Sequence, residues 1–186
     1  MTCISCNSIN TSIIYNTLPY CNKCFTTMKK LFEVYSNENE KNIDKSFNPP
    51  TKINENIYIG SLNSVDKTKL DELNITHIII AGKNLRNNNH NGFNCLELPI
   101  DDSFEQDITK YIKIVNNYIN NISNVNNISN KPNILIHCYS GISRSGAILI
   151  GYLMMKNNWD YETTYTSVKN IYPLIFPNEN FQNQLK

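Results

Sequence analysis

One stretch restricts this chain more than any other: Ile134-Leu135-Ile136-His137-Cys138-Tyr139-Ser140-Gly141-Ile142-Ser143-Arg144-Ser145-Gly146. A short apolar run ends at a His-Cys pair, a small polar loop follows, and a long apolar segment then runs from Ser145 to about Lys156. The pattern predicts a buried strand, a tight loop and a helix that begins at about Arg144. Backbone N–H groups of such a loop converge with the unpaired N–H groups of the helix N-terminus and make a cradle for an anion. Gly141 permits the curvature that a bulkier residue would block. Arg144, six residues after Cys138, can curl back and hold two phosphate oxygens. The same positive field favours a thiolate at Cys138. These residue types in this order point to a cysteine nucleophile aimed at phosphorus.

Rival readings fail on particular residues. A Walker-type nucleotide loop needs Lys-Ser or Lys-Thr after its last glycine, where Ala147 stands. A serine-hydrolase elbow needs glycine two positions after Ser143, where Ser145 stands. A buried structural thiol accounts for Cys138 alone and leaves Gly141, Arg144 and Ser145 unexplained.

From Thr51 onward, strand and helix patterns alternate. Ile57 to Gly60 reads as a short strand, and Asn63 or Ser64 can cap a helix through Leu73 with Val65, Leu70 and Leu73 inward. Thr76 to Ala81 and Phe93 to Leu98 read as further strands. Between Asp107 and Ile122, the residues Ile108, Tyr111, Ile112, Val115 and Ile119 fall on one face of a helix. Helices are also expected from Asp160 to Ile171 and near Pro177 to Leu185. The expected fold is α/β, with a central, mostly parallel sheet flanked by helices.

HCYSGISRS resembles the active-site signature of cysteine-dependent protein phosphatases, and its Gly-x-Ser-Arg-Ser ending is similar to the dual-specificity branch. The resemblance spreads over residues 51–186. Ile57-Tyr58-Ile59-Gly60-Ser61 looks like the opening strand of that family, and Leu73 to Ile79 like its next helix-to-strand step. Leu98-Pro99-Ile100-Asp101-Asp102 resembles its general-acid loop, Tyr152-Leu153-Met154 the helix after the signature, and Pro177 to Leu185 its C-terminal stretch.

The resemblance implies roles residue by residue. Cys138 would attack phosphorus and become a phosphocysteine. Arg144, with the loop of Tyr139, Ser140, Gly141, Ile142 and Ser143, would bind the phosphate. Ser145 would steady the departing thiolate, and His137 would support the loop by hydrogen bonding. The leaving oxygen needs a proton from a carboxylic acid. The family pattern favours Asp102 over its neighbour Asp101, with Asp107 or Glu105 next in line. Tyr139, Ser140 and Ile142 add no basic group, which takes weight from inositol lipid and RNA substrates. The expected activity is therefore hydrolysis of phosphotyrosine and phosphoserine or phosphothreonine in proteins, without a catalytic metal. The alternatives are a phospho-binding pseudophosphatase and a zinc-module adaptor with little turnover.

Four of the six cysteines lie in the first 24 residues, as Cys3-x-x-Cys6 and Cys21-x-x-Cys24. Two such pairs fit one tetrahedral zinc ion held by four thiolates. About 30 residues cannot build a stable core alone, so the metal would be structural. Residues 1–35 are read as this module, with an amphipathic helix carrying Phe25, Met28, Leu31, Phe32 and Tyr35. Residues 36–50 are read as a linker. Lys23, Lys29 and Lys30 are too few to indicate nucleic-acid binding, and the partner of the module is left open.

Composition removes other classes. Net charge is +1, hydrophobic residues make up 40%, and no apolar run reaches the length of a membrane span. The N-terminus shows neither a basic leader nor an apolar core, so an intracellular protein, cytoplasmic or nuclear, is expected. Asn fills more than one position in six, and the Asn-rich stretches 84–94 and 120–133 read as solvated connectors. His90 is accordingly expected in solvent and His77 in a structural role. Cys95 is expected as an inert core thiol rather than a disulfide partner of Cys138, and Trp159 as core packing at a helix entry.

Overall fold

The computed structural model describes residues 13–15, 18–20, 49–124 and 131–186. The chain divides into two compact units, Met1–Lys45 and Ser46–Lys186. In the first, strands β1 (Ile13–Tyr15) and β2 (Leu18–Tyr20) pair antiparallel, with Ile13 opposite Tyr20 and Tyr15 opposite Leu18. Cys3, Cys6, Cys21, Cys24, the helix expected up to residue 35 and most of the expected linker lie outside the described residues.

The second unit is built on β3 (Thr51–Lys52), β4 (Ile57–Gly60), β5 (Ile75–Ala81), β6 (Asn94–Leu98) and β7 (Asn133–His137). Their order in the sheet is β3-β4-β7-β5-β6. All pairs are parallel except the edge pair β3–β4, so the sheet is mixed but mostly parallel. Strand β7 is central because it can be covered on both faces. Ile134, Leu135 and Ile136 are all fully buried, and successive strand residues point to opposite sides.

Among the described residues of this unit, five α-helices lie between and after the strands: α1 (Lys67–Glu72), α2 (Thr109–Asn124), α3 (Arg144–Asn157), α4 (Tyr161–Ile171) and α5 (Glu179–Leu185). One face of the sheet packs on α2 to α5 through Ile57, Ile59, Ile79, Ile134, Ile136, Ile148 and Phe181, among others. The other face, with Tyr58, Ile78, Ile80 and Leu135, packs on Leu70 of α1 and on Phe93. Every residue of α3 from Ser145 to Leu153 is buried, as suits a helix that is apolar all round. Each fully buried Leu or Ile contributes about 1.5–3 kcal/mol relative to exposure. The apolar face expected on α2 is the buried one, since Ile108, Tyr111, Ile112, Val115 and Ile119 are all in the core.

Several local expectations need correction. No single helix runs from Asn63 to Leu73. A 3-10 turn covers Leu62–Ser64, and α1 starts only after Asp66, whose carboxylate accepts from Lys69 N at 3.0 Å. Ser64 cannot cap α1 because its hydroxyl faces back and accepts from Ser61 N at 2.9 Å. Trp159 is not core: it follows Asn158, the left-handed residue that ends α3, and is 45% exposed. The stretch 84–94 is not uniformly solvated, because a 3-10 turn at Asn88–His90 carries His90 into the interior. Cys95 is half-buried on β6 beside the α1 face, while Cys138 sits in the other core. Strands β5 and β7 place Cys95 two strand spacings from β7, about 10 Å, too far for a disulfide without backbone movement.

Candidate active site

The carboxyl end of β7 is where the chain leaves the sheet. His137 lies level with Gly60 of β4 and Ile80 of β5, and the loop 138–143 begins beside them. In parallel sheets, sites form outside these strand ends. Cys138 is 1% exposed. Its Sγ accepts from Gly141 N–H at 3.2 Å and from the Ser145 hydroxyl at 3.2 Å. Two donors on one sulfur are what a thiolate needs when it attacks phosphorus and when it departs.

Gly141 has φ +79, and a Cβ there would come within 2.8 Å of the Gly60 carbonyl group. The loop therefore needs glycine for both conformation and closeness. It is pinned at two further points, by Leu62 N–H to Tyr139 O at 3.1 Å and Phe176 N–H to Ile142 O at 3.1 Å. Tyr139 and Ser140 face solvent, whereas Gly141 and Ser143 are buried and Ile142 is half-buried.

Ser143 occupies the N-cap position of α3 but makes no capping bond. Its hydroxyl donates instead to Asp102 Oδ1 at 2.7 Å. Arg144 opens the helix, and its Nε lies 3.7 Å from Asp102 Oδ2, beyond hydrogen-bond range. That buried Nε has no hydrogen-bond partner, which leaves a cationic donor free for an oxyanion at the start of α3. Gly82, just after β5, makes room for it: a Cβ there would lie 2.7 Å from Arg144 Nη1.

The two adjacent carboxylates differ sharply. Asp102 accepts from Ser143 and from Asn178 Nδ2 at 2.8 Å, and it faces Arg144. Asp101 turns outward into an exposed ion pair with Lys83. Asp107 accepts from Thr109 N at 2.8 Å and Thr109 Oγ1 at 2.7 Å beside the start of α2, and these bonds hold it below the usual carboxylate range. Glu105 is exposed.

His137 is fully buried. Its Nδ1 lies 3.1 Å from Cys138 O and its Nε2 lies 3.0 Å from Nε2 of His90. Burial pushes His137 down to about 4, with the His90 imidazole adding to the effect. An imidazole so disposed is neutral at pH 7, and its two ring contacts link the Cys138 carbonyl to His90.

A buried thiol whose sulfur accepts from Gly141 N–H and the Ser145 hydroxyl, followed by a helix start whose Ser143 and Arg144 face the Asp102 carboxylate, is the arrangement of a cysteine-dependent phosphatase. Residues 57–186 match the family described as dual specificity phosphatase, catalytic domain, and the chain belongs to that family. Among curated relatives, dual specificity protein phosphatase 1 of Homo sapiens is 30% identical over 137 residues, covering 73% of this chain and 36% of that protein. MAP kinase phosphatase with leucine-rich repeats protein 1 of Dictyostelium discoideum is 33% identical over 138 residues, covering 74% and 16%. The chain thus spans about a third or less of the length of these relatives. Among solved structures, the human tyrosine phosphatase-like serine/threonine/tyrosine-interacting protein is 28% identical with a TM-score of 0.65, covering 74% of this chain and 93% of that one. A leucine rich repeat and phosphatase domain containing protein from Entamoeba histolytica is 25% identical with a TM-score of 0.62, covering 74% and 88%.

Three residues around the site were not legible as functional in the sequence: His90, Asn178 and Gly82. An Asn before an acidic helix start signals a cap at Asn178, and the cap is present, with Oδ1 accepting from Phe181 N at 2.9 Å. Nothing local signals its bond to Asp102, 76 positions away.

Proposed function

We propose that this chain is a dual-specificity protein phosphatase that hydrolyses phosphotyrosine and phosphoserine or phosphothreonine through a phosphocysteine. Cys138 Sγ attacks phosphorus in line, forming the S–P bond as the P–O bond to the side chain breaks. Asp102 gives its proton to the leaving oxygen. Arg144 and the N–H groups of residues 139–144 take the charge spread over the three equatorial oxygens. Water then attacks the phosphocysteine and loses its proton to the Asp102 carboxylate. The S–P bond breaks, inorganic phosphate leaves, and Ser145 donates to the returning thiolate.

The observation that carries this reading is the pair of hydrogen bonds to Cys138 Sγ, from Gly141 N–H and the Ser145 hydroxyl, at the start of α3. The presence of Cys138, Arg144 and Asp102 together argues against a binding-only pseudophosphatase. The test is turnover of phosphotyrosine and phosphothreonine peptides by the full chain. Cys138→Ser is expected to abolish it while phosphate binding persists, and retained turnover in that variant would refute cysteine catalysis.

The same reading extends to the N-terminal module. Cys3, Cys6, Cys21 and Cys24 hold one structural zinc ion. The support is the spacing of the two pairs and the short antiparallel hairpin β1–β2 between them, which suits two knuckles closing on one ion. A catalytic thiolate and four zinc-bound thiolates both call for a reducing compartment, cytoplasm or nucleus. Elemental analysis of protein purified under reducing conditions is expected to give about one zinc per chain, falling when Cys3 and Cys6 are replaced by Ser.

A further inference from the structure

His90 is the one residue of the Asn-rich stretch 84–91 whose side chain is fully buried; Lys83, Asn84 and residues 86–89 around it face solvent. It reaches the interior because the turn Asn88–His90 aims it at His137, where the two Nε2 atoms meet at 3.0 Å. A contact between two ring nitrogens needs one proton between them, so one imidazole donates and the other accepts.

The far ends of the pair decide which. His137 Nδ1 lies 3.1 Å from Cys138 O, and a carbonyl oxygen can only accept. His137 Nδ1 therefore carries the proton, and in a neutral ring Nε2 is then bare. Burial keeps this ring neutral. The bare Nε2 requires a donor, and among the described residues the group that faces it is His90 Nε2 at 3.0 Å, so His90 Nε2–H supplies it. His90 Nδ1 is then an acceptor, and Asn87 N–H donates to it at 3.1 Å. Asn87 also sets its side-chain oxygen 2.9 Å and its carbonyl oxygen 3.3 Å from the same nitrogen, so that end would suit Nδ1 with or without a proton. The Cys138 end would not. Besides His137, the titratable groups that act on or contact His90 are Arg86 and Glu97, paired at 2.8 Å, and Cys95, whose Sγ lies 3.8 Å from His90 O.

Resting on the phosphatase reading of the Cys138 loop, we propose that His90 is a positioning residue of that site. It donates from Nε2 to His137 and so holds His137 as the Nδ1–H form that fixes the Cys138 carbonyl. The first peptide of the phosphate-binding loop is thereby oriented from a loop 47 positions upstream. From that peptide, the loop turns so that Gly141 N–H meets the sulfur at 3.2 Å. Loss of the donor leaves a buried acceptor unpaired directly behind the nucleophile.

Two measurements test this, both on the full chain. Long-range imidazole 1H–15N spectra of the wild-type protein at pH 7.5 are expected to show His137 protonated at Nδ1 and His90 at Nε2. The opposite pair of tautomers overturns the proposal, and this readout needs no variant to fold. The second measurement is the rate at which iodoacetamide alkylates Cys138 across pH, followed by mass mapping of the Cys138 peptide. His90→Leu is expected to displace that curve to higher pH and to slow alkylation and kcat/KM about tenfold, the usual worth of a buried hydrogen bond. His90→Gln returns an N–H near the position of Nε2 and is expected to recover to within about threefold of wild type. A wild-type alkylation curve in His90→Leu, or no recovery in His90→Gln, overturns the proposal. Spectra and alkylation need no phosphoester, so a wild-type chain without turnover would refute the phosphatase reading and leave this test standing.

Discussion

Asp101 and Asp102 are chemically identical neighbours with opposite surroundings. Asp101 meets Lys83 in solvent, and Asp102 meets Ser143, Asn178 and Arg144 at the start of α3. Of the two, Asp102 is the proposed donor of the proton to the leaving oxygen, and the Ser143 and Asn178 hydrogen bonds hold it there. Protonation matters most when the departing oxygen is strongly basic. Asp102→Asn is therefore expected to slow phosphoserine and phosphothreonine peptides by about 10²–10⁴-fold, with a much smaller effect on an activated aryl phosphate. Asp101→Asn is expected to stay within a few-fold of wild type on both. Comparison of kcat/KM for the two substrate types in the two variants checks this, and the reverse ranking would move the acid by one residue.

At the scale of elements, α5 holds the loop that follows Asp102 in place. Gln184 Nε2 donates to Gln106 O at 2.8 Å and its Oε1 accepts from Ile108 N at 2.8 Å, while Asn180 Nδ2 donates to Gln106 O at 2.9 Å. Asn178 does two jobs with one amide, capping α5 through Oδ1 and donating to Asp102 through Nδ2. Asn178→Asp separates them. The carboxylate keeps the cap and suits the helix N-terminus, but it sets an acceptor against Asp102. Thermal stability is expected to remain near wild type while turnover of a phosphothreonine peptide falls about tenfold, the worth of one hydrogen bond to a charged group. A fall in melting temperature with unchanged kcat would make α5 a purely structural element.

For the whole molecule, the buried imidazoles set the response to acid. His137 titrates at about 4 when folded and near 6.5 when exposed, and burial lowers His90 as well. Between these values the unfolded chain binds the proton and the folded chain does not, so stability is full above pH 6.5 and is lost as pH falls toward 4. At pH 5 His137 alone should cost about 2 kcal/mol relative to pH 7.5, from roughly 1.5 pH units at 1.36 kcal/mol each. Urea unfolding at the two pH values measures it, and equal stability at both would show that the folded state takes up the proton. Asp107 and Asp160, held below the usual carboxylate range by hydrogen bonds from Thr109 and Thr163, act only at lower pH.

Patterns of short range were legible in the sequence. The run Ile134 to Ile136 could only be a strand covered on both faces, and Ile108 to Ile119 a helix with one buried side, because period and hydrophobicity are local properties. The order His137-Cys138 to Arg144-Ser145 likewise carried the loop and helix start, since a cradle of this kind is made by consecutive backbone groups. What the sequence alone could not decide were contacts whose partners lie far apart in the chain. Polar neighbours make His90 read as solvated, and a lone tryptophan at a helix entry reads as core, yet His90 is buried and Trp159 is exposed. Local composition says nothing of an acceptor 47 positions away at His137, or of the left-handed Asn158 ahead of Trp159. The choice of Asp102 over Asp101 came from family likeness alone. Its physical reason exists only in the folded chain, where Ser143 gives its hydroxyl to that carboxylate rather than to the helix it begins.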